Sequence, residues 1–317
     1  MIRAQVDSEG AVVPVARVVE DDALKALSAF APGSANLIIS SPPYNIGKIY
    51  ERDHKLSFDE YIAWQSDVIT AAHAALAGDG SICWQVGNYV KDGSVIPLDI
   101  ALFPIFQNLR MRLRNRIIWR FNFGINQKKR FSGRYETVLW FTKSDSYKFN
   151  LDPVRVPQIY PGKRHSRGKA GLAGQPSGNP NGKNPSDYWE FSADRDFRDN
   201  PIWEIPNVKA GHPEKTEHPC QFPIELAERC VLALTDPGDL VLDPFAGTGA
   251  SVLAAMKHGR TGLGIDKEAS FVALANERID ALARGELRTR PSGMPVRRPG
   301  ANERVAQVPT EWSLENN

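Results

Sequence analysis

The stretch VLDPFAGTGASVLAAMKHGRTGLGID, residues 241–266, decides the fold. It opens as a short apolar run, turns through Gly247 and Gly249, continues with helical character to Gly259, and closes in a second apolar run, GLGID. Glycines in such a strand-to-helix turn let a ligand approach the backbone closely. Asp266 ends the second run, where a carboxylate accepts both hydroxyls of a ribose in nucleoside-binding sheets. A dinucleotide fingerprint needs a third glycine, and Val252 stands in its place, which disfavours NAD. Asp243, just before Pro244, repels a pyrophosphate and suits an ammonium group. S-adenosylmethionine carries an ammonium and no phosphate, so the charge pattern favours it over NAD or ATP.

Outward from this unit the chain alternates strand and helix patterns. ANLIIS (35–40) reads as a buried strand, SICWQV (81–86) as another, and RNRIIWRF and ETVLWFT as two more. Between the first two, Ser57 and Glu60 have capping-box spacing, Tyr61, Val68, Ala72 and Leu76 form an apolar stripe, and Gly78 offers a helix stop. PLDIALFPIFQNL (97–109) reads as a helix interrupted at Pro104. Pro223 suits the first turn of a helix with apolar positions at 224, 227, 230, 231 and 234, and EASFVALANERIDALAR forms a last helix. Near-continuous apolar strands joined by helices predict an α/β fold, a doubly wound and mostly parallel sheet with helices on both faces.

IISSPPYNIGKIY (38–50) raises a separate question. Prolines cannot donate to a sheet ladder, so the strand ends at Ser41-Pro42-Pro43-Tyr44. In a doubly wound sheet, ligands bind beyond the carboxyl ends of strands where strand order reverses. If ANLIIS neighbours DLVLD, this turn and the glycine loop face one cleft.

The chain's 317 residues, 42% hydrophobic, allow a substantial core, and 39 Lys+Arg against 37 Asp+Glu neither demand nor exclude a polyanion. From Arg155 to Ser186, however, there are six Lys or Arg, no Asp or Glu, six glycines and five prolines, the composition of an irregular basic excursion outside the core. No run reads as a signal peptide or membrane span. Cys83, Cys220 and Cys230 lack CxxC spacing; Cys83 and Cys230 read as buried free thiols and fit a cytoplasmic setting. His212 and His218 lack a second ligand pair, so no metal site is expected. After about residue 285 the Arg- and Pro-rich chain predicts a disordered tail.

SPPY followed far downstream by DPFAGTG resembles the amino-directed DNA methyltransferases of the beta permutation, in which the catalytic motif precedes the cofactor loop. RFSGRYETVLWFTKSDSYKFNLDPVRVPQIYPGKR and TEHPCQFPIELAERCVLALT are also similar to that family, over roughly residues 15–285. The resemblance implies a permuted class I S-adenosylmethionine-dependent fold. Residues 15–150 would be the catalytic half, 151–212 an inserted DNA-recognition region, 213–285 the cofactor-binding half and 286–317 the tail. It assigns Ser41, Pro42, Pro43 and Tyr44 to catalysis and Asp243, Phe245, Gly247, Gly249 and Asp266 to the cofactor. Asp22 matches the acid at the cofactor's adenine, with Asp21 one residue away as the other register. Thr216 and His218 fall in the segment that closes over the methionine end.

The implied partner is double-stranded DNA, with a separately encoded restriction enzyme and a homodimer also in keeping with the family. An exocyclic amine is a poor nucleophile because its lone pair is delocalised into the base. The Ser41 hydroxyl and Pro42 carbonyl are suitable acceptors for its N–H groups, and Tyr44 would stack on the base. Such a base must leave the duplex, at a cost of about a few kcal/mol. Lys128, Lys129, Arg130, Lys163, Arg164 and Arg167 are candidate phosphate contacts that offset it. Serine at the motif's first position goes in this family mainly with cytosine N4, and adenine N6 stays open. A catalytically inactive DNA-binding protein is the non-enzyme alternative.

Overall fold

A computed structural model describes residues 5–6, 12–13, 15–47, 56–121, 126–158, 160–166, 171–190, 205, 208, 212–218, 220–291, 302, 303 and 307. In chain order these form β1 (Gln5–Val6), β2 (Val12–Val13), β3 (Ala16–Glu20), α1 (Ala23–Ser28), β4 (Ala35–Ser40), α2 (Phe58–Ala75) and β5 (Leu76–Val86). There follow β6 (Asn88–Lys91), β7 (Ser94–Pro97), α3 (Leu98–Asn108), β8 (Arg112–Arg120), β9 (Tyr135–Thr142) and β10 (Tyr188–Glu190). The last elements are α4 (Ile224–Leu234), β11 (Leu240–Asp243), α5 (Ala250–Lys257), β12 (Thr261–Asp266) and α6 (Ala269–Ala283).

Eight strands make one sheet in the order β10-β8-β9-β5-β4-β11-β12-β3. All neighbours run parallel except β9, which is antiparallel to both β5 and β8. The sheet is therefore mixed on one side, where the sequence pattern predicts parallel pairing. An apolar run buried on both faces looks alike in either direction; only the short return between β8 and β9 distinguishes them.

Strand side chains alternate between two helical layers, as a period of two requires. Leu37, Ile39 and Cys83 face α4, α5 and α6, whereas Ile38, Ile82 and Trp84 face α1, α2 and α3. The Ser57–Glu60 capping box is present at the start of α2. The helix ends at Ala75 rather than near Gly78, because Leu76 is already extended and pairs with Ala35 as β5 begins. Gly80 then lies so close to β4 that a Cβ would come 2.9 Å from the Asn36 carbonyl. α3 runs through Pro104 instead of breaking there. The carbonyl deprived of its partner belongs to Ile100, on the solvent side of the helix, where water is at hand.

The 151–212 region is less separate from the core than its composition predicts. Val154, Val156 and Trp189 are buried, β10 adds an edge strand beside β8, and Val156 bridges to Lys183. The expected tail also begins as folded chain. Arg290 is buried, its Nη1 donating to Glu225 Oε2 at 2.5 Å and its backbone N–H to Glu214 Oε1 at 3.1 Å. Most of the tail beyond residue 291 lies outside the described residues. Cys83 and Cys230 are buried free thiols and Cys220 is exposed. Among the described residues, no helix is long and apolar enough to cross a membrane.

Candidate active site

β11 pairs with β4 on one side and β12 on the other, with Leu242 opposite Ile38. From β4 the chain crosses through α2 to β5, and from β11 through α5 to β12 on the opposite side. The carboxyl ends of β4 and β11 thus flank the point where strand order reverses, the usual ligand crevice of such sheets. Ser41–Tyr44 leaves one strand and the glycine loop leaves the other, as the sequence predicts.

Asp243 is fully buried at the tip of β11. Its Oδ1 accepts from the Ser40 hydroxyl at 2.5 Å and from the Phe245 N–H at 3.0 Å, and its Oδ2 accepts from the Ser251 hydroxyl. Burial pushes this carboxyl up to about 6, helped by the nearby charge of Asp266 and opposed by the three donors. The side chain is turned inward and ties the catalytic strand to the loop, rather than presenting a charge to the crevice.

The loop itself is held from several sides. Gly247 and Gly249 have φ of +49° and +76°, values that favour glycine. The Gly247 N–H donates to Asp266 Oδ2 at 2.8 Å, and Asp266 Oδ1 accepts from the Glu268 N–H at 3.0 Å. Burial raises the Asp266 carboxyl above the usual range despite these bonds. Phe245 packs edge-on against Trp64 and Trp84, with ring centroids 5.5 and 6.2 Å away.

His218 lies over the turn, its Nε2 3.2 Å from where a Cβ on Gly247 would sit, and its ring meets Phe271 edge-on at 4.3 Å. Thr216 accepts from the His218 N–H at 3.3 Å and donates to Gln221 Oε1 at 2.9 Å. Burial, then the Lys215 charge, pushes His218 down to about 4, so the ring is neutral near pH 7.

Asp22 stands beside this group as the N-cap of α1, accepting from the Lys25 N–H at 3.0 Å. Asp21 is paired with the Lys25 ammonium at 2.8 Å, and its N–H donates to the Asp266 carbonyl at 3.1 Å. Both registers for the adenine acid therefore lie next to the Asp266 strand end.

On the other side of the crevice, the Tyr44 hydroxyl lies 3.2 Å from Ser41 Oγ and 3.5 Å from Glu136 Oε2. Gln85, buried at the end of β5, donates to the same Glu136 oxygen. Tyr61 from α2 donates to the Pro43 carbonyl at 3.1 Å, and buried Asn45, with φ +57°, donates to the Leu56 carbonyl at 2.8 Å. The turn is thus fastened to α2, β5 and β9. Burial raises the Tyr44 phenol well above its ordinary range, with the Glu136 charge second.

Sequence reasoning missed Glu136, Gln85, Tyr61 and Arg278. Arg278 is buried on α6 and donates to the Thr248 carbonyl inside the glycine loop. Its signal was an arginine one turn from the inward-facing Ala275.

Lys128, Lys129 and Arg130 are exposed between β8 and β9, at the crevice end of the sheet, and Phe131 beside them is 99% exposed. Lys163 and Arg164 are exposed in the basic region; Arg167 lies outside the described residues. Among the described residues, no group of three or more His, Cys, Asp or Glu is placed to hold a metal ion.

Residues 35–277, which span the whole crevice, match the DNA methylase family of N6 and N4 amino methyltransferases. The chain belongs to this family. Type II methyltransferase M.BglII of Bacillus subtilis is 43% identical over 260 residues, 82% of this chain and 67% of the relative. M.ScaI of Streptomyces caespitosus is 32% identical over 83% of this chain and 80% of its own length. The DNA adenine methyltransferase YhdJ of Escherichia coli K12 is 29% identical over 83% of this chain and 82% of its own.

Among solved structures, the cytosine-N4-specific PvuII DNA methyltransferase superposes with a TM-score of 0.62 at 19% identity, covering 86% of this chain and 94% of that one. A DNA modification methylase of Thermus thermophilus, TTHA0409, complexed with S-adenosyl-L-methionine, gives 0.58 at 24% identity, over 86% and 95% of the two chains. Both likenesses establish the class I methyltransferase fold.

The protein is an S-adenosylmethionine-dependent DNA methyltransferase. The residues present fit that cofactor. The Gly247 N–H, which in a phosphate loop would face a phosphate, is given to Asp266, so the turn offers a close backbone approach without a phosphate nest.

Proposed function

We propose that this DNA methyltransferase modifies the exocyclic N4 amine of a cytosine flipped out of duplex DNA. The observation that carries the reading is the shared crevice: Ser41–Tyr44 and Gly247–Gly249 leave neighbouring strands that are joined by the Ser40–Asp243 bond. The Ser41 hydroxyl and the Pro42 carbonyl accept the two amine N–H bonds, which turns the nitrogen lone pair out of conjugation. Tyr61 supports this by holding the next carbonyl, that of Pro43. The Tyr44 ring stacks on the base.

S-adenosylmethionine supplies an electrophilic methyl group on a sulfonium. Asp266 receives the ribose hydroxyls, Asp22 and Phe245 flank the adenine, and Thr216 and His218 close over the methionine end. Neutral His218 avoids placing a second positive charge beside the sulfonium. Lys128, Lys129 and Arg130 contact DNA phosphates, as do Lys163 and Arg164. Phe131, aromatic and exposed among cations at the crevice end of the sheet, suits the gap that a departing base leaves.

Ser41 favours cytosine N4, in keeping with the named specificity of the PvuII enzyme. Adenine N6 is the second reading, supported by the similarity to YhdJ. A type II restriction partner, a cytoplasmic setting and a homodimer belong to the same reading. The test is methylation of mixed-sequence duplex DNA followed by nucleoside analysis. N4-methylcytosine is expected, N6-methyladenine would select the second reading, and no methylated base would overturn both.

A further inference from the structure

Glu136 occupies the start of β9 only because that strand runs antiparallel to β5, which brings its first residues to the crevice end of the sheet. Its carboxylate is 3.5 Å from the Tyr44 hydroxyl, which is 3.2 Å from Ser41 Oγ. Gln85 donates to the same oxygen from the far side and fixes the carboxylate in place. Gly87 leaves room for this arrangement: a Cβ there would lie 3.0 Å from Tyr44 Cε2 and 3.5 Å from Glu136 Cγ. The result is a chain of oxygens from the serine, through the tyrosine, to a carboxylate.

We propose that Glu136 is a positioning residue and the terminal proton acceptor of the reaction, acting on Ser41 through the Tyr44 hydroxyl. This rests on the amine-methylation reading. An amine that forms a bond to a methyl carbon uses its lone pair, while the pair of the broken carbon–sulfur bond stays on sulfur. The nitrogen then carries one positive charge and must lose one proton. A serine hydroxyl is too weak a base to keep that proton. Ser41 Oγ takes the proton from nitrogen and passes its own to Tyr44 Oη, and Tyr44 passes its own to Glu136. Both hydroxyls are restored, the base is neutral, and Glu136 is a carboxylic acid that returns its proton to solvent. Tyr44 thereby has two roles, with its ring on the base and its hydroxyl in the relay.

The test uses the full chain with wild type, Glu136→Gln, Glu136→Asp, Tyr44→Phe and the Glu136→Gln/Tyr44→Phe pair. Tyr44→Phe keeps the stacking ring. Single-turnover methyl transfer should fall about 100-fold in Glu136→Gln and Tyr44→Phe, the usual range for losing a proton acceptor. The double variant should lose little more than either single, since members of one relay act as a unit. Glu136→Asp should recover part of the rate. Cofactor and DNA dissociation constants should stay within about threefold, a change of under 1 kcal/mol.

A readout independent of turnover is the Tyr44 13Cζ resonance, assigned by its loss in Tyr44→Phe; it should shift in Glu136→Gln. Full activity of either single variant, multiplied losses in the double, or an unmoved resonance would overturn the relay. A wild-type protein that transfers no methyl to DNA would instead overturn the amine-methylation reading, a result distinct from active variants of an active enzyme.

Discussion

The Ser40 hydroxyl donates to Asp243 at 2.5 Å, joining residues 203 positions apart at the tips of two adjacent parallel strands. The bond sets the spacing between the catalytic turn and the cofactor loop. Asp243 also holds Ser251 at the start of α5 and the Phe245 N–H, so one buried carboxylate organises both walls of the crevice.

That carboxylate makes stability depend on pH. Its folded value of about 6 exceeds the ordinary value of 3.8, so its contribution is present below the unfolded value and lost as pH rises through the folded one. Asp243→Asn cannot ionise. Relative to that variant, wild type should therefore lose roughly 2 kcal/mol of stability between about pH 4.5 and about pH 7.5, measured by urea unfolding. A difference that stays constant across this range would show that Asp243 ionises freely in the folded protein.

Ser41→Ala should reduce methyl transfer about 100-fold or more, the scale seen when one preorganised hydrogen-bonding group is removed. Cofactor affinity by calorimetry should be nearly unchanged, because Ser41 belongs to the turn and the cofactor contacts to the loop. Equal losses in both measurements would remove its assigned role.

Asp266 accepts the Gly247 and Glu268 N–H groups, so Asp266→Ala strips the glycine turn of one anchor as well as the ribose acceptor. S-adenosylmethionine should bind at least tenfold more weakly, or about 1.4 kcal/mol. Unchanged affinity would place the ribose elsewhere.

Neutralising Lys128, Lys129 and Arg130 should weaken DNA binding and lower the slope of log K against log salt by up to about 2.7, near 0.9 per lost phosphate contact. Phe131→Ala should leave that slope alone while reducing the fluorescence of a 2-aminopurine target, which reports base extrusion. An unaltered salt slope would make the β8–β9 segment a bystander, and undiminished fluorescence would exclude Phe131 as a wedge.

Much of this site is local in origin and was legible residue by residue. A capping box needs only Ser57 and Glu60, a proline stop only Pro42 and Pro43, and a left-handed turn only Gly247 and Gly249. The family resemblance rests on these short strings, as does the expectation that ANLIIS and DLVLD lie side by side. What stayed hidden depends on contacts between distant segments. Gly78 carries a stop signal, yet pairing with β4 begins at Leu76 and ends α2 first. Asp243 reads as a free charge at a strand tip, but Ser40 and Ser251 supply donors that turn it inward.

Glu136 is the sharpest case. Its place in ETVLWFT indicates a strand and nothing of the direction in which that strand runs. Local chemistry determines turns, caps and the identity of the glycine loop, because each is set by backbone preferences within a few residues. Strand direction, the inward turn of Asp243 and the approach of Glu136 to Tyr44 were decided by tertiary pairing, since only the assembled sheet brings those groups within hydrogen-bonding distance.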